Sequence, residues 1–326
     1  MHHNQPYLLS PERELTELER ALIWKKPASH QVSQAEKRIC EEVKRNWNRG
    51  EMKISTILLE GDAGSGKTQL AKALSAAFGL PYTKVTCFAD MDKSDIIGAI
   101  LPVMTRAEGD PSEDAEAAPV EYRFYPSEIV RAYQNGYLLE IQEPNVIRDA
   151  SVLMALNSAL EQDGSINLPT EIIRRHPDFM VVITTNRSYA GTKPLNEALR
   201  DRVQHTERMD MPTKDVMIER AMAMVGYEDQ AVLGLLADAI MTLDQAAKAN
   251  AIKGVAGMRS YFYWTDAVAA GIPVTEAMYH KVIYKITTDP DEIKLLEDAL
   301  RSRGLLAQLE QMEDSVKKND FSGSLN

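Results

Sequence analysis

The spacing of hydrophobic and polar residues changes near residue 212. Between Ile54 and Met211, short apolar runs alternate with amphipathic segments, which predicts a parallel sheet with crossover helices. Four runs are predicted as its strands, at 54–60, 83–87, 137–141 and 179–184. From Pro212 onward the apolar residues follow helical spacing, which predicts helices at 214–225, 229–250, 258–270, 274–285 and 291–316. The expected fold class is therefore α/β, followed by a smaller all-helical domain.

The segments outside this pattern complete the expected domain organisation. Residues 1–50 are expected to be helical, because Ser10 followed by Pro11 and acidic residues is typical of a helix start, and a second helix is predicted from Ser33 to Trp47. The α/β domain is placed at 51–212, the helical domain at 213–316 and a disordered tail at 317–326. An acidic insertion at 107–121 is either a solvated loop or a surface that faces a substrate or partner.

A glycine-rich loop follows the first predicted strand. Residues 61–68 match G-x-x-x-x-G-K-[ST], and a helical pattern follows at once, which is the context of a phosphate-binding P-loop. Glycines let backbone N–H groups turn toward the phosphates at a helix N-terminus, where anions are favoured. Lys67 is expected to reach the β- and γ-phosphates of ATP, and the Thr68 hydroxyl to bind Mg²⁺. The residues expected to bind the nucleotide are Gly61, Asp62, Ala63, Gly64, Ser65, Gly66, Lys67, Thr68 and Gln69.

Polar residues end two later strands of the predicted sheet. Glu143 follows the buried run 137–141, at the strand edge where ligands of open α/β sheets bind. Asn186 follows the run at 179–184; its amide either orients the attacking water or begins a turn. Three cations come later in the chain, at Arg200, Arg202 and Arg259.

Composition limits the classes of partner and the cellular compartment that are expected for this protein. The net charge is −11, which argues against a broad electrostatic grip on nucleic acid. Cys40 and Cys87 are too few for a disulfide framework and fit a reducing cytosol. No apolar run approaches the roughly 18 to 20 residues that cross a bilayer. A cytoplasmic protein without membrane contact is expected.

In this order, the P-loop, the acid-terminated strand, Thr184-Thr185-Asn186, the Ala198–Arg202 segment and the late Arg259 resemble AAA+ ATPases. Finer features resemble the branch of MoxR-type ATPases, CbbQ/NorQ activases, the gas-vesicle ATPase and the dynein- and midasin-related modules. The residues that carry this finer resemblance are Asp95–Gly98, Arg175–Phe179, Tyr189–Gly191 and Leu195–Leu199. The resemblance covers about residues 54–270 and implies a P-loop sheet sandwiched by helices, followed by a helical lid.

The same resemblance implies a role for each polar residue. Glu143 would be the catalytic glutamate, Asn186 the residue known as sensor 1, and Arg259 the sensor 2 arginine that reaches the γ-phosphate. Arg202, with Arg200 as second choice, would be an arginine finger inserted into the site of a neighbouring subunit.

One residue departs from the family pattern. The position before the catalytic glutamate usually carries a magnesium-binding Asp, and here it is Gln142. Glu140 lies two residues earlier, on the same face of the strand, and is a candidate substitute. The expected metal-site residues are thus Thr68, Gln142 and Glu140.

The resemblance implies an Mg²⁺-dependent ATPase that forms a hexameric ring and remodels a client protein or complex. A separate protein with a von Willebrand factor A domain is a partner that the resemblance suggests. Gln142 keeps a rival interpretation open, a regulatory or structural ring subunit with little turnover. A nucleic-acid motor is a third interpretation, which the acidic composition weakens.

Overall fold

The computed structural model describes most of the chain. The described residues are 7–104, 120–161, 164–168, 171–186 and 194–313. The predicted tail at 317–326 and most of the predicted insertion at 107–121 lie outside them. Within the described ranges, no helix is both long and apolar enough to cross a membrane.

A five-stranded parallel sheet forms the centre of the region before residue 212, with the strand order β2-β5-β8-β1-β9. Two antiparallel hairpins, β3–β4 and β6–β7, lie apart from it. The strands are β1 Thr56–Gly61, β2 Tyr82–Thr86, β3 Gly98–Met104, β4 Val120–Pro126, β5 Leu138–Gln142, β6 Ser165–Asn167, β7 Ile172–Arg174, β8 Met180–Asn186 and β9 His205–Met209. The four predicted strands are confirmed as β1, β2, β5 and β8, whereas β9 and both hairpins were not predicted.

Helices cover the sheet, and the described residues after 212 form helices and their connections. The α-helices are α1 Glu17–Leu22, α2 Gln34–Asn46, α3 Lys67–Phe78, α4 Lys93–Ile97, α5 Glu128–Asn135, α6 Ala150–Leu160, α7 Glu197–Asp201, α8 Lys214–Val225, α9 Gln230–Ala249, α10 Met258–Ala269, α11 Val274–Met278, α12 Tyr284–Ile286 and α13 Pro290–Ser302. A π-helical segment, Tyr279–Ile283, joins α11 to α12. Short 3₁₀ turns lie at Gly50–Met52 and Pro144–Val146.

Each face of the sheet is buried against its own set of helices. Alternate residues of β1 point to opposite faces, so Ile57 and Leu59 pack with α2 and α3, while Leu58 packs with α5 and α6. All three are fully buried. The predicted arrangement, a P-loop sheet sandwiched by helices and followed by a helical region, is confirmed.

The predicted helix start at Ser10 is wrong. Helix α1 begins at Glu17, where Thr16 forms a capping box with Glu19. The Ser10 hydroxyl instead donates to Asp178 Oδ1 over 2.6 Å, and Arg13 Nη1 donates to Asp178 Oδ2 over 3.1 Å. A carboxylate 168 residues away therefore engages the side chain that would have capped a helix.

The helical region follows its predicted pattern closely. Helix α8 has the predicted bounds, and the predicted helix at 291–316 is interrupted because Gly304 adopts φ 69 before helical structure resumes at 305–313. Tyr261 and Trp264 are fully buried at the centre of this region. The Tyr261 hydroxyl donates to the carbonyl of Leu233 over 3.0 Å, which joins α10 to α9.

Candidate functional site

The P-loop connects β1 to α3 at the carboxyl edge of the sheet. Gly66 is the N-cap residue of α3 and has φ 96, a backbone conformation that favours glycine. A Cβ at Gly61 would lie 2.2 Å from the carbonyl oxygen of Met209 in β9, so the loop leaves the sheet through a gap that admits only glycine. The predicted nucleotide-binding residues, Gly61 to Gln69, therefore form one continuous loop and first helical turn.

Lys67 folds back over this loop. Its Nζ donates to the carbonyls of Gly61 over 2.9 Å and Asp62 over 2.8 Å, and to Asn186 Oδ1 over 2.8 Å. Lys67 is buried, and these acceptors compensate for the loss of water around its charge, because charged groups are rarely buried without partners. The structure thus brings the P-loop lysine and the predicted Asn186 into direct contact.

Glu143 completes a chain of polar contacts with these two residues. Its carboxylate oxygens accept from the backbone N–H of Asn186 over 3.0 and 3.1 Å. Glu143 has φ 55, an uncommon value for a side chain other than glycine, and its own N–H donates to Thr184 O over 2.8 Å. The cause of the juxtaposition is strand order, because β8 lies between β5 and β1 and Asn186 pairs with Gly61 in register.

The pKa of Glu143 suits a group that exchanges a proton. Burial raises the pKa of its carboxyl above the ordinary value. The N–H of Asn186, the charge of Lys67 and a hydrogen bond with Thr185 oppose that shift. A half-buried carboxylate with a raised pKa is a stronger base than an exposed one.

A second polar cluster surrounds Glu140, which is fully buried. Its Oε1 accepts from Thr68 Oγ1 over 2.9 Å, from Gln142 Nε2 over 3.0 Å and from Thr184 Oγ1 over 3.0 Å. Its Oε2 accepts from the hydroxyl of Tyr82. The three predicted metal-site residues, Thr68, Gln142 and Glu140, are therefore neighbours.

Gln142 is oriented within this cluster by its neighbours. Its Nε2 donates to Thr68 Oγ1 over 3.1 Å as well as to Glu140, while its Oε1 accepts from Thr86 Oγ1 over 2.7 Å. The amide thus presents hydrogens to Thr68, whereas a metal ligand would present an oxygen lone pair. The carboxylate nearest Thr68 in this arrangement is that of Glu140.

The residues fit the two groups that an ATPase would bind. The Ser65 hydroxyl in the P-loop is buried and has no hydrogen-bond partner, so a phosphate oxygen would satisfy it. The carboxylate and hydroxyl oxygens of Glu140 and Thr68 are the hard donors that Mg²⁺ prefers.

The start of α10 packs against the P-loop. A Cβ at Gly257 would lie 3.0 Å from the carbonyl oxygen of Ala63, and one at Gly64 would lie 3.9 Å from Arg259 Cβ. Arg259 is exposed, so its side chain is accessible at this edge. The structure therefore brings the predicted sensor 2 position next to the nucleotide-binding loop.

The two candidate arginine fingers are held by carboxylates elsewhere in the same subunit. Arg200 Nη2 lies 3.1 Å from Glu60 Oε1 at the end of β1, and Arg202 Nη2 lies 2.8 Å from Glu161 Oε1 after α6. The buried Nε of Arg202 has no hydrogen-bond partner. These contacts do not join either arginine to the Lys67–Asn186–Glu143 chain.

Sequence reasoning missed three participants. Tyr82 and Thr184 contact Glu140 from the neighbouring strands β2 and β8, and Lys248 contacts Asp62 from the helical region. The strand register could have suggested Thr184, which pairs with Gln142. No local signal marks Lys248, because its partner lies 186 residues away.

Comparisons with known proteins agree with this architecture. Residues 56–203 match the family model described as AAA domain, dynein-related subfamily. Uncharacterised proteins of Staphylococcus aureus strains USA300 and NCTC 8325 are each 28% identical over 241 residues, which cover 72% of this chain and 86% of theirs.

Two mutants of RuvB from Thermotoga maritima are among the solved structures to which the chain is similar. Each has a TM-score of 0.45. One is 14% identical and covers 85% of this chain and 74% of its own; the other is 15% identical, with coverage of 84% and 70%. Residues 56–203, which hold the P-loop and four strands of the parallel sheet, are therefore similar to an AAA domain of the dynein-related subfamily, and the observed α/β fold agrees with that similarity.

Proposed function

We propose that this protein is an Mg²⁺-dependent ATPase of the MoxR type, which forms a ring and uses ATP hydrolysis to remodel a client protein or complex. The observation that carries the proposal is the continuous contact from Lys67 through Asn186 to Glu143. It joins a lysine, an amide and a carboxylate at one edge of the sheet, which supports the proposal that they bind phosphate, orient water and act as the base. A nucleotide-binding loop alone would not require this set.

The contacts of Lys67 suggest how binding prepares the site. On ATP binding, Lys67 would exchange its carbonyl and amide acceptors for the β- and γ-phosphates. Asn186 Oδ1 would then be free to orient a water molecule. Glu143, fixed by the Asn186 N–H, would accept the proton from that water as it attacks.

The metal site would rest on Thr68 and Glu140. Mg²⁺, when bound, neutralises the charge that develops on the phosphates. Thr68 would bind it through Oγ1, and Glu140 would supply the negative charge that Gln142 lacks. Gln142 would act as a neutral bridge that holds Thr68 and Glu140 in place.

Two substitutions test the assignment. Glu143→Gln should keep ATP binding and reduce turnover by about a hundredfold or more, while Lys67→Ala should lose both. Lys72→Ala, a nearby half-buried lysine on the same helix, is the matched control and should leave both unchanged. Turnover that persists in Glu143→Gln would remove Glu143 from its proposed role.

A regulatory ring subunit with little turnover is the second candidate. The amide of Gln142, turned with its hydrogens toward Thr68, favours it because a neutral donor weakens the metal site. Phosphate release by the pure protein distinguishes the two. Tight ATP binding with no more release than Lys67→Ala would favour the regulatory subunit.

The assembly proposal concerns Arg202. An arginine finger contributes roughly 10³ to 10⁵ in rate, so Arg202→Ala should be inactive if the residue acts in a neighbouring subunit's site. Mixing Arg202→Ala with Glu143→Gln subunits should restore part of the activity, because some interfaces then combine an intact base with an intact finger. Normal hydrolysis by Arg202→Ala would transfer the role to Arg200, and turnover by a monomer would overturn the ring.

The partner and compartment are proposed on the same basis. AAA+ proteins generally form oligomeric rings, and a hexamer acting on a client with a separate von Willebrand factor A domain protein follows from the MoxR resemblance. Cys40 and Cys87 are both buried free thiols, which supports the cytoplasm as the compartment. Mass measurement with and without ATP tests the ring, and co-purification tests the partner.

A further inference from the structure

One lysine joins the P-loop to the helical region. Lys248, in the last turn of α9, places Nζ 2.6 Å from Asp62 Oδ2 and 2.6 Å from Asp244 Oδ2. The side chains of the two aspartates are only 9% and 8% exposed, whereas that of Lys248 is 41% exposed. A single cation therefore bridges a carboxylate of the phosphate-binding loop and a carboxylate of the second half of the chain.

The charges of this bridge would affect the binding of phosphates at the P-loop. Two buried carboxylates and one ammonium leave a net charge of about −1 beside a loop that would hold phosphates. Without Lys248, these two nearly buried carboxylates would lose the cation that they share. Removing one partner from such a group is costly, because the remaining charges have little access to water.

The start of α10 contacts the P-loop residues that follow Asp62. Gly257 packs on Ala63, and the backbone of Arg259 lies against Gly64. The helical region thus meets three consecutive P-loop residues through the end of one helix and the start of the next. The chain runs directly from the Lys248 end of α9, where Ile252 N–H donates to the carbonyl of Ala247 over 2.9 Å, to the start of α10 at Met258, so a displacement of that end would also displace Arg259.

We propose that Lys248 is a positioning residue that fastens the helical region to the P-loop and thereby holds Arg259 beside the bound nucleotide. This inference rests on the proposed function of the P-loop. Lys248 acts on the nucleotide through Asp62 and the docking of α10. Its loss should therefore reduce the benefit that Arg259 brings.

A double-mutant cycle on nucleotide affinity tests the coupling. Lys248→Met should weaken binding of a fluorescent ATP analogue at least about tenfold, and Arg259→Ala should then cost much less than it does in the wild-type background. Lys214→Met is the matched control, since Lys214 forms the same kind of ion pair with Asp238 within the helical region. It should leave both affinity and the effect of Arg259→Ala unchanged.

A milder variant keeps the test decisive if Lys248→Met does not fold. Asp62→Asn removes only the P-loop carboxylate and leaves the Asp244–Lys248 pair one helical turn apart intact. It should reduce the effect of Arg259→Ala in the same way. Equal loss on Arg259→Ala in the wild-type, Lys248→Met and Asp62→Asn backgrounds would overturn the proposal.

The affinity readout separates this inference from the proposed hydrolysis. If the wild type binds ATP but releases no phosphate, the proposed turnover fails while the cycle still tests Lys248. If the wild type hydrolyses ATP and Lys248→Met behaves as Lys214→Met does, the turnover stands and the positioning role fails. For a hydrolysing wild type, Lys248→Met should also lower kcat, because Arg259 would be displaced from the γ-phosphate.

Discussion

Replacing Gln142 with aspartate is the sharpest probe of the metal site. Gln142 Nε2 lies 3.0 Å from Glu140 Oε1, so a carboxylate at 142, one methylene shorter, would lie about 4–5 Å from that of Glu140. At an effective dielectric constant near 20, two such charges repel by about 3–4 kcal/mol. Gln142→Asn has the same shortened side chain without the charge. The difference between the two variants therefore isolates the electrostatic effect.

Without metal, the free energy of unfolding of Gln142→Asp should be lower than that of Gln142→Asn by about 3 kcal/mol near pH 8. The gap should open with rising pH above about 4, because the introduced carboxyl has a raised pKa in the folded state and is protonated there at low pH. A group that binds more protons folded than unfolded lowers stability as pH rises. Urea unfolding at several pH values in EDTA measures this dependence.

With Mg²⁺ and nucleotide, Gln142→Asp should have a higher free energy of unfolding than Gln142→Asn. Two carboxylates, at 142 and at Glu140, would bind a divalent cation more tightly than one, so Gln142→Asp should need less Mg²⁺ for half-maximal stabilisation than either Gln142→Asn or the wild type. Phosphate release should rise in parallel. If the Asp and Asn variants show the same magnesium dependence, a carboxylate at 142 does not reach the metal, which would contradict a metal site beside Gln142.

Three further predictions follow from single positions. Ser65→Ala removes a buried hydroxyl without a partner, so it should leave the melting temperature of the nucleotide-free protein equal or higher and weaken ATP binding about tenfold, measured by titration. Activity should fall as pH drops through the raised pKa of Glu143, because the base must be ionised. A pH profile of kcat/KM measures this. A loss of activity only at the ordinary pKa of glutamate would contradict it. Gly136→Ala should lower the free energy of unfolding by more than about 2 kcal/mol, because φ is 68 and the new Cβ would lie 2.2 Å from His176 Nδ1. Gly226→Ala is the control: φ is 75 there but the space around it is open, so the loss should be about 1 kcal/mol, measured by urea unfolding.

The sequence predicts the elements that local patterning controls. Strands β1, β5 and β8 are short buried apolar runs and α8 has helical apolar spacing, and both features can be recognised from neighbouring residues in the sequence. Strand β9 was missed because its residues, His205–Met209, are mostly polar and only Glu207 is buried. The helix start at Ser10 failed for a tertiary reason, the contact with Asp178.

The candidate site likewise has some features that the local sequence predicts and others that depend on tertiary contacts. The P-loop, Glu143 and Asn186 could be placed at one edge because parallel strands end there. Their hydrogen bonds depend on strand order, since β8 must lie between β5 and β1 for Asn186 to reach Lys67. Lys248 could not be found at all, because the docking of the helical region on Asp62 leaves no local pattern.

Strand geometry and charge together explain how the site can keep Glu140 beside a neutral Gln142. The period of a strand places both side chains on one face, and Tyr82 and Thr184 on the adjacent strands give the buried Glu140 carboxylate donors that do not depend on metal. Next to that charge, an amide at 142 donates to both Glu140 and Thr68, whereas a second carboxylate would repel in the absence of metal. Donors from the protein itself therefore satisfy the Glu140 carboxylate, and Gln142 adds no second charge beside it. Such a site should bind magnesium less tightly than one with two carboxylates, and the comparison of Gln142→Asp with Gln142→Asn measures that difference directly.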